Sequence, residues 1–146
     1  MIIRPCEEKD LKIIAAIEHA SFNVAPWTYE QIVTEFKEND YANIFVAEID
    51  GKVVGYIDYW VLFEQGTISK IAVLDPLRKH GIGDILLKDA IYRMDEEGVT
   101  SITLEVRVSN VAAIKLYENN GFEKKLVKKG YYSDGEDAYF MMLGEE

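Results

Sequence analysis

The amino-acid sequence predicts a mixed α/β or α+β fold whose sheet is antiparallel in its first part and joined by helical crossovers in its second. Two adjacent β-rich runs flank Asp50-Gly51, a dipeptide favoured in two-residue hairpins, and predict the antiparallel part. Further along the chain, helical runs alternate with β-rich runs, which is typical of crossover connections. The 146 residues contain no internal repeat, low-complexity tract or linker, so we expect residues 1–146 to form a single domain.

The first half of the chain supplies two helical runs and a β-rich segment. Leu11, Ile14, Ala15 and Ile17 recur at helical spacing, which indicates one buried helix face. Thr28 is a favourable N-cap residue and predicts the start of a second helix. The predicted elements are a strand over Ile2–Cys6, a helix over Glu7–Ala20, a loop over Phe22–Trp27, a helix from Thr28 to Phe36, and strands over Asn43–Ile49, Lys52–Leu62 and Thr67–Leu74.

The second half alternates helices and strands. An apolar stripe of Ile82, Ile85, Leu86, Ala90 and Met94 marks one helix, and Gly98 ends it. In the following strand Ile102, Leu104 and Val106 alternate with Thr103, Glu105 and Arg107 on the opposite face. The predicted elements are a helix from the glycine turn to about Glu97, a strand over Ser101–Val106, a helix capped by Ser109 or Asn110 that ends at Asn120-Gly121, and strands over Phe122–Val127 and Ala138–Leu143 around the turn Ser133–Asp137.

Composition excludes several classes of protein. With 26 acidic and 16 basic side chains the net charge is −10, which argues against nucleic-acid binding and permits a cationic partner. A single cysteine, Cys6, excludes an internal disulfide and fits a reducing compartment, and with only two histidines a metal site is not expected. The charged N-terminal segment does not resemble a signal peptide, and no apolar run has membrane-spanning length. We therefore expect a cytoplasmic, metal-free protein.

The turn Gly81-Ile82-Gly83 at a helix start is one candidate site. Glycines allow a ligand to approach the backbone closely, and a helix N-terminus attracts anions, so the turn predicts a phosphate site. A tight strand-to-helix turn without a ligand explains the same residues. A P-loop is excluded because Asp84 and Ile85 follow Gly83, whereas Glu105 downstream keeps a dinucleotide-binding Rossmann fold open despite Leu86 at the third glycine position.

A second candidate site combines Glu105, Asn110 and Tyr117. The last two are seven residues apart and share a helix face, and Glu105 lies on the strand that leads into this helix. A carboxylate that accepts a proton and a phenol that donates one suit proton transfer. Ordinary structural roles remain open for each residue: Glu105 could pair with Arg107, Asn110 could cap the helix, and Tyr117 could pack in the core.

Taken together, these motifs resemble the GNAT superfamily of acetyl-CoA-dependent N-acetyltransferases. Arg78-x-x-Gly81-x-Gly83 is similar to its pyrophosphate loop, and Asn110…Leu116-Tyr117…Gly121-Phe122 to its later CoA-side motif. Residues 104–122 and 128–143 further resemble protein N-terminal acetyltransferases of the RimI (ribosomal-protein-alanine) and arrest-defective types. Pro26-Trp27 is closer to the RimI type, and the segment 134–139 is equally typical of the arrest-defective type.

The resemblance implies a sheet of about seven strands, splayed between the fourth and fifth, with about four helices. It also implies roles for individual residues. Glu105 would be the general base and Tyr117 the general acid, while Tyr131 and Tyr132 would line the peptide side. The implied contacts with acetyl-CoA are Ile71, Ala72 and Val73 along the pantetheine arm, Arg78, Lys79, His80, Gly81, Ile82, Gly83 and Asp84 around the pyrophosphate, and Asn110.

By this resemblance the chain transfers acetyl from acetyl-CoA directly to the α-amine of a protein N-terminus, such as that of a ribosomal protein. The expected state is a monomer or a weakly associating homodimer. A small amine as acceptor and a non-catalytic acyl-CoA-binding module remain alternatives. Two departures from the family pattern, Asp84 beside the anion site and Leu74 before Asp75-Pro76, are expected to tune cofactor affinity. Cys6 is assigned no covalent role.

Overall fold

The computed structural model describes residues 1–74 and 81–144. It contains seven strands, four α-helices and one short 3₁₀ helix within this part of the chain. The elements are β1 (Ile2–Pro5), the 3₁₀ helix (Glu8–Asp10), α1 (Leu11–Ser21), α2 (Tyr29–Glu38), β2 (Ala42–Ile49), β3 (Lys52–Leu62), β4 (Gln65–Val73), α3 (Ile82–Glu96), β5 (Ser101–Arg107), α4 (Val111–Asn119), β6 (Glu123–Lys128) and β7 (Ala138–Gly144).

All seven strands belong to one sheet in the order β1-β2-β3-β4-β5-β7-β6. The pair β4–β5 is parallel, and every other pair is antiparallel. The parallel pairing covers only Gln65–Thr67 against Ser101–Thr103, after which the two strands diverge. The predicted mixed sheet and its splay between the fourth and fifth strands are therefore confirmed. A doubly wound Rossmann sheet is excluded, because such a sheet is mostly parallel.

Helices cover both faces of the sheet and divide the core into two layers. Helices α3 and α4 pack on one face, where Leu86, Met94 and Ile114 meet Ile57 and Leu104. Helices α1 and α2 pack on the other face, where Leu11, Ile14 and Ile32 meet Val46 and Tyr56. Full burial of such an apolar side chain stabilises the fold by about 1.5–3 kcal/mol. The two layers together hold β4 and β5 in place on either side of the splay.

The hairpin turns follow local backbone rules. Asp50 and Gly51 both have positive φ, of 51° and 78°, as a two-residue turn of type I′ requires, so the predicted hairpin is confirmed. The turn between β3 and β4 is tighter than expected: Phe63 adopts a φ of 56°, and β4 begins at Gln65 rather than Thr67. The last residue of β4 is Val73, one before the predicted end.

The first helix begins later than predicted. Instead of one helix from Glu7, a 3₁₀ turn precedes α1, which begins at Leu11. Asp10 explains the difference, because its carboxylate accepts a hydrogen bond from the Glu7 amide at 2.8 Å and binds the Arg4 guanidinium at 2.8 and 3.0 Å. These contacts hold the first turn in the tighter 3₁₀ geometry. Among the described residues, no helix is both long and apolar enough to cross a membrane.

Candidate active site

A cleft of about 390 Å³ opens where β4 and β5 diverge. Its walls come from β4, the end of β5, the first turns of α4, the loop between α1 and α2, and the loop between β6 and β7. Five of the residues predicted for the site from the second half of the chain line it together: Glu105, Asn110, Tyr117, Tyr131 and Tyr132. The structure thus brings residues of β5, α4 and the last loop to one opening in the sheet.

Glu105 lies on the outward face of β5 and forms an ion pair across the sheet. The Lys128 Nζ donates to its Oε2 at 2.7 Å. The alternative in which Glu105 pairs with Arg107 is wrong, because Arg107 binds Asp134 at 3.0 Å and Glu136 at 2.8 Å. Arg107 is thus occupied in holding the turn between β6 and β7. Glu105 keeps acceptor capacity toward the cleft, since a carboxylate has about four acceptor positions.

Tyr117 lies on α4 and is 6 % exposed. Its ring packs against Phe122 with the centroids 5.7 Å apart. Burial raises the pKa of the Tyr117 phenol well above its ordinary value, with a smaller contribution from Tyr132. The phenol therefore stays protonated at neutral pH and is able to donate its proton at the cleft. Packing in the core and lining the cleft are compatible here, because the Tyr117 side chain does both.

Asn110 is the N-cap of α4. Its side-chain oxygen accepts a hydrogen bond from the Ala113 amide at 3.2 Å, so the predicted cap is Asn110 rather than Ser109. The Ser109 amide donates instead to Glu136 at 3.0 Å. Asn110 also lines the cleft, and its predicted contact with the cofactor stays a prediction.

Tyr131 and Tyr132 form the outer wall of the cleft. Their rings meet edge to face with centroids 5.0 Å apart, and the Arg107 guanidinium lies 4.0 Å from the centre of the Tyr132 ring. Burial raises the pKa of Tyr132 to about 12. The pKa of Tyr131 is also raised, by burial first and then by the nearby Glu105 carboxylate. The two phenols are therefore neutral hydrogen-bonding groups at the entrance.

The inner wall is the edge of β4 beyond its pairing with β5. That pairing ends at Thr67, so the backbone of Ile68 to Ala72 has no strand on this side among the described residues. Ile71 lines the cleft. An extended chain with amide groups, such as a pantetheine arm, fits this edge because it can complete the hydrogen-bonding pattern of a strand. The predicted role of Ile71, Ala72 and Val73 is compatible with this geometry.

The glycine turn stands at the start of α3, beside the same edge. Gly81 is the N-cap with a φ of 78°, and the first helical hydrogen bond runs from Ile85 N to Gly81 O. A Cβ added at Gly81 would meet nothing within 4 Å, and one at Gly83 only Leu116 and Val73 at 3.7 and 3.9 Å. Packing does not require a glycine at 83, which suits a bare backbone reserved for an anionic ligand. Arg78, Lys79 and His80 lie outside the described residues.

Asp84 belongs to a polar cluster between α3 and α4. The Asn120 amide donates to Asp84 Oδ1 at 2.8 Å, and Lys88 Nζ lies 3.0 Å from its carboxylate. These hydrogen bonds, from Asn120 first and Lys88 second, lower the pKa of Asp84. The Lys88 ammonium thus offsets the negative charge of Asp84 beside the glycine turn.

Sequence reasoning missed four residues around the cleft: Glu18, Lys70, Phe22 and Trp27. Glu18 is fully buried, and its carboxylate accepts from Lys70 Nζ at 2.8 Å, from the Trp27 amide at 2.9 Å, and from the Tyr56 hydroxyl. Lys70 Nζ also lies 4.5 Å from the Phe22 ring and 5.1 Å from the Trp27 ring. Glu18 follows Ile14 by four residues and therefore lies on the buried face of α1. This helical spacing was the signal in the sequence that could have identified Glu18 as a buried carboxylate.

The site has neither a metal centre nor a reactive thiol in the described ranges 1–74 and 81–144. No group of three or more side chains there could hold a metal ion. The first strand is predicted to include Cys6, but β1 ends at Pro5, and Cys6 follows it and packs against the α1–α2 layer. Burial raises the pKa of its thiol to about 12, so it is not a ready nucleophile.

A splayed sheet with an open β4 edge, a glycine turn at a helix start and a carboxylate–phenol cleft define an acyl-CoA-dependent transferase of the GNAT class. Residues 11–122 match the Acetyltransferase (GNAT) family, and the chain belongs to it. It is therefore an acetyltransferase, and the family uses acetyl-CoA.

Within this family, the chain is similar to several N-terminal acetyltransferases. The chain is 42% identical over 128 residues to an N-alpha-acetyltransferase of Sulfurisphaera tokodaii, covering 79% of this chain and 76% of the relative. The crystal structure of the ribosomal-protein-S18-alanine N-acetyltransferase from Escherichia coli superposes with a TM-score of 0.89 at 32% identity, covering 98% of this chain and 92% of that one. A NatC complex bound to Gag peptide and CoA gives a TM-score of 0.82 at 26% identity, covering 99% and 98%.

Proposed function

We propose that this protein transfers the acetyl group of acetyl-CoA to the α-amine of a protein N-terminus, by direct attack within a ternary complex. The observation that carries the proposal is the meeting of Glu105, Tyr117, Tyr131 and Tyr132 at one cleft beside the open β4 edge. The named relatives, which are N-terminal acetyltransferases, support the same acceptor. A ribosomal protein is the proposed substrate class, and its basic character suits the net charge of −10.

In this proposal different elements of the fold bind the cofactor and the peptide. The β4 edge from Ile71 to Val73 and the amides from Lys79 to Asp84 hold acetyl-CoA, and Asn110 contacts it from α4. Tyr131 and Tyr132 hold the first residues of the peptide through hydrogen bonds from their neutral phenols. Acetyl-CoA supplies the acetyl group already activated as a thioester.

Three proton movements complete the proposed reaction. Glu105 accepts a proton from the substrate α-ammonium, directly or through a water molecule. An α-amine has a pKa of about 7.7–8.0, so this proton is readily lost near neutral pH. Tyr117 gives its phenolic proton to the departing thiolate sulfur. The second proton, which the nitrogen loses as the amide forms, returns to the Tyr117 oxygen directly or through a water molecule and restores the phenol. Positioned attack supplies much of the rate gain, and acid and base assistance add roughly 10²–10⁴-fold.

A direct assay tests the acceptor. The purified protein is incubated with acetyl-CoA and peptides that begin with Ala, Ser, Met or Met-Leu, with an N-terminally blocked lysine peptide and a small amine in parallel. Free thiol follows turnover, and peptide mass locates the acetyl group. Acetyl on an α-amine supports the proposal. Transfer only to the small amine, or binding of acetyl-CoA without transfer, would replace it with one of the two alternatives.

The cytoplasmic location, the single domain and the monomer or weakly associating homodimer stay predictions.

A further inference from the structure

Lys128 is the last residue of β6, the outermost strand on one side of the sheet. In the register of the sheet, Lys128 pairs with Ala138 of β7, and Ala138 pairs with Arg107 of β5. Paired residues of neighbouring antiparallel strands point to the same face, so Lys128 shares a face with Arg107 and, two residues back along β5, with Glu105. Ala138 has only a methyl group between them, which leaves a long side chain room to cross β7.

The Lys128 ammonium ends at the carboxylate of Glu105. Its Nζ lies 2.7 Å from Glu105 Oε2, 4.9 Å from the Phe140 ring centre and 5.4 Å from the Tyr131 ring centre. The two charged side chains are 38 % and 21 % exposed, so the ion pair is partly shielded from water. One cation thus binds the proposed base and lies near the ring of one proposed peptide-binding tyrosine.

We propose that Lys128 is a positioning residue for acetyl transfer, acting through Glu105. The proposal rests on the role of Glu105 as general base given above. A glutamate side chain has three rotatable bonds, and a charged hydrogen bond to one oxygen restricts the carboxylate to one orientation. The carboxylate is then held at the cleft that Glu105 lines. Lys128 itself touches neither acetyl-CoA nor the reacting atoms in this scheme.

The ammonium has a second effect on the acceptor amine. An α-ammonium that approaches Glu105 also approaches a fixed positive charge, and nearby like charges favour the neutral form of an amine. Only the neutral form has the lone pair that attacks a thioester. Lys128 therefore favours the reactive form of the substrate at the place where the proton is removed.

The test compares Lys128→Met, Lys128→Arg, Glu105→Gln and the double variant Glu105→Gln/Lys128→Met. Lys125→Met is the matched control, because Lys125 lies on the same strand and pairs only with Glu123 of that strand among the described residues. Thermal unfolding with and without acetyl-CoA checks that each variant folds and binds the donor. Steady-state kinetics then give kcat and both KM values on the best peptide of the assay above.

Lys128→Met is expected to lower kcat by roughly 10- to 100-fold while the KM for acetyl-CoA stays unchanged, since misplacing a catalytic group costs about this much. Lys128→Arg is expected to recover most of the loss, and Lys125→Met to behave as the wild type. The double variant is measured at pH 9, where the α-amine is already neutral and the charge effect on it is absent. There, in the Glu105→Gln background, Lys128→Met should change kcat by less than about 2-fold, because the partner it positions is already gone.

Three results would overturn the proposal: an unchanged kcat in Lys128→Met, equal losses in the Met and Arg variants, or multiplicative losses in the double variant. The last result would mean that Lys128 acts without Glu105. These failures differ from failure of the proposed function itself. If the wild type acetylates neither peptides nor small amines, the base role of Glu105 fails and this inference fails with it.

Discussion

Glu18 of α1 binds Lys70 of β4 at 2.8 Å, from a position with no exposure to solvent. The same carboxylate oxygen accepts the amide hydrogen of Trp27, in the loop between α1 and α2. The buried Glu18 carboxylate thus connects the loop between α1 and α2, which forms one wall of the cleft, to strand β4. Phe22 and Lys70 both line the cleft, so the shape of this part of the cleft depends on the contact between Glu18 and Lys70.

Replacing Glu18 by Ala is expected to lower the free energy of unfolding by about 3–5 kcal/mol, because the partly buried Lys70 ammonium and the Tyr56 hydroxyl both lose their partner. Glu18→Gln, which retains acceptor and donor groups, should cost less. Urea denaturation measures both values. Asp89→Ala, which removes an ion pair with Arg93 on the surface of α3, is the control and should cost less than about 1 kcal/mol. Equal losses for Glu18→Ala and Asp89→Ala would show that the network contributes no special stability.

Asp58 of β3 is 1 % exposed, and neither of its carboxylate oxygens accepts a hydrogen bond from a described residue. Burial, and then the neighbouring Glu35, raise the pKa of Asp58 to about 9. Burial opposes ionisation of Glu35 as well, but hydrogen bonds from Asp58, Asn39 and Trp60 lower its pKa overall. We interpret the pair as sharing one proton, held on Asp58 and donated to Glu35.

This shared proton predicts a pH-dependent stability. Asp58 holds a proton in the folded state up to about pH 9 but loses it near pH 3.9 when unfolded. The folded state therefore binds the extra proton between these values, and its stability falls as pH rises through that window, by up to about 1.4 kcal/mol per unit. Asp58→Asn removes this dependence, since an amide can donate to Glu35 without a proton from water.

The measurement is chemical denaturation of both proteins between pH 4 and pH 9. Asp58→Asn should match the wild type near pH 4 and become progressively more stable than it above pH 5. Asp50→Asn, at the exposed hairpin turn, serves as the control and should run parallel to the wild type. A constant difference between Asp58→Asn and wild type at every pH would contradict the shared proton.

The sequence was informative where a pattern is local. Strand alternation, helical spacing and cap residues such as Thr28 and Asn110 depend on neighbours in the chain, and the structure confirms the elements they predict. The hydrogen bond that caps α2, from Gln31 N to the Thr28 hydroxyl at 3.1 Å, is one example. The boundaries that moved, at Leu11 and Gln65, depend on contacts of Asp10 and on a positive φ at Phe63, which residue type alone does not fix.

Pairing between distant side chains was the part that the sequence could not supply. The segment 124–129 contains four lysines that are equivalent as a pattern, yet only Lys128 reaches Glu105. The register of β6 on β7, which includes a bulge between Lys124 and Leu126, determines which of these lysines lies close to Glu105. Lys70 and Glu18 likewise are separated by 52 residues. Several residues that line the cleft were predictable from the family resemblance, but the ion pairs around them were not.

The catalytic assignment predicts a specific kinetic signature. Glu105→Gln and Tyr117→Phe should each lower kcat by roughly 10²–10⁴-fold, because each removes a proton acceptor or donor and little volume. The affinity for acetyl-CoA, measured by calorimetry, should remain within about 3-fold of wild type, as neither change touches the glycine turn or the β4 edge. Glu96→Gln and Tyr92→Phe make the same chemical changes at exposed positions of α3 and should leave kcat unaltered. Wild-type turnover in Glu105→Gln or in Tyr117→Phe would remove the role assigned to that residue.

The glycine turn predicts the opposite signature, a loss of binding without a loss of stability. Gly83 lies inside α3, and an added Cβ would make only ordinary contacts with Leu116 and Val73. Gly83→Ala should therefore raise the free energy of unfolding by up to about 1 kcal/mol, since Ala favours a helix over Gly. The same methyl group would stand where the amides of the helix start face a phosphate, so the affinity for acetyl-CoA should fall by about 10-fold or more.

Gly98→Ala provides the inverse control. Gly98 ends α3 with a φ of 86°, away from the cleft, and an Ala in this conformation should cost about 1–2 kcal/mol of stability without weakening acetyl-CoA binding. Thermal unfolding and calorimetry on both variants separate the two effects. If Gly83→Ala bound acetyl-CoA as tightly as the wild type, the turn would be a structural connection between β4 and α3. The pyrophosphate would then have to be held elsewhere along the cleft.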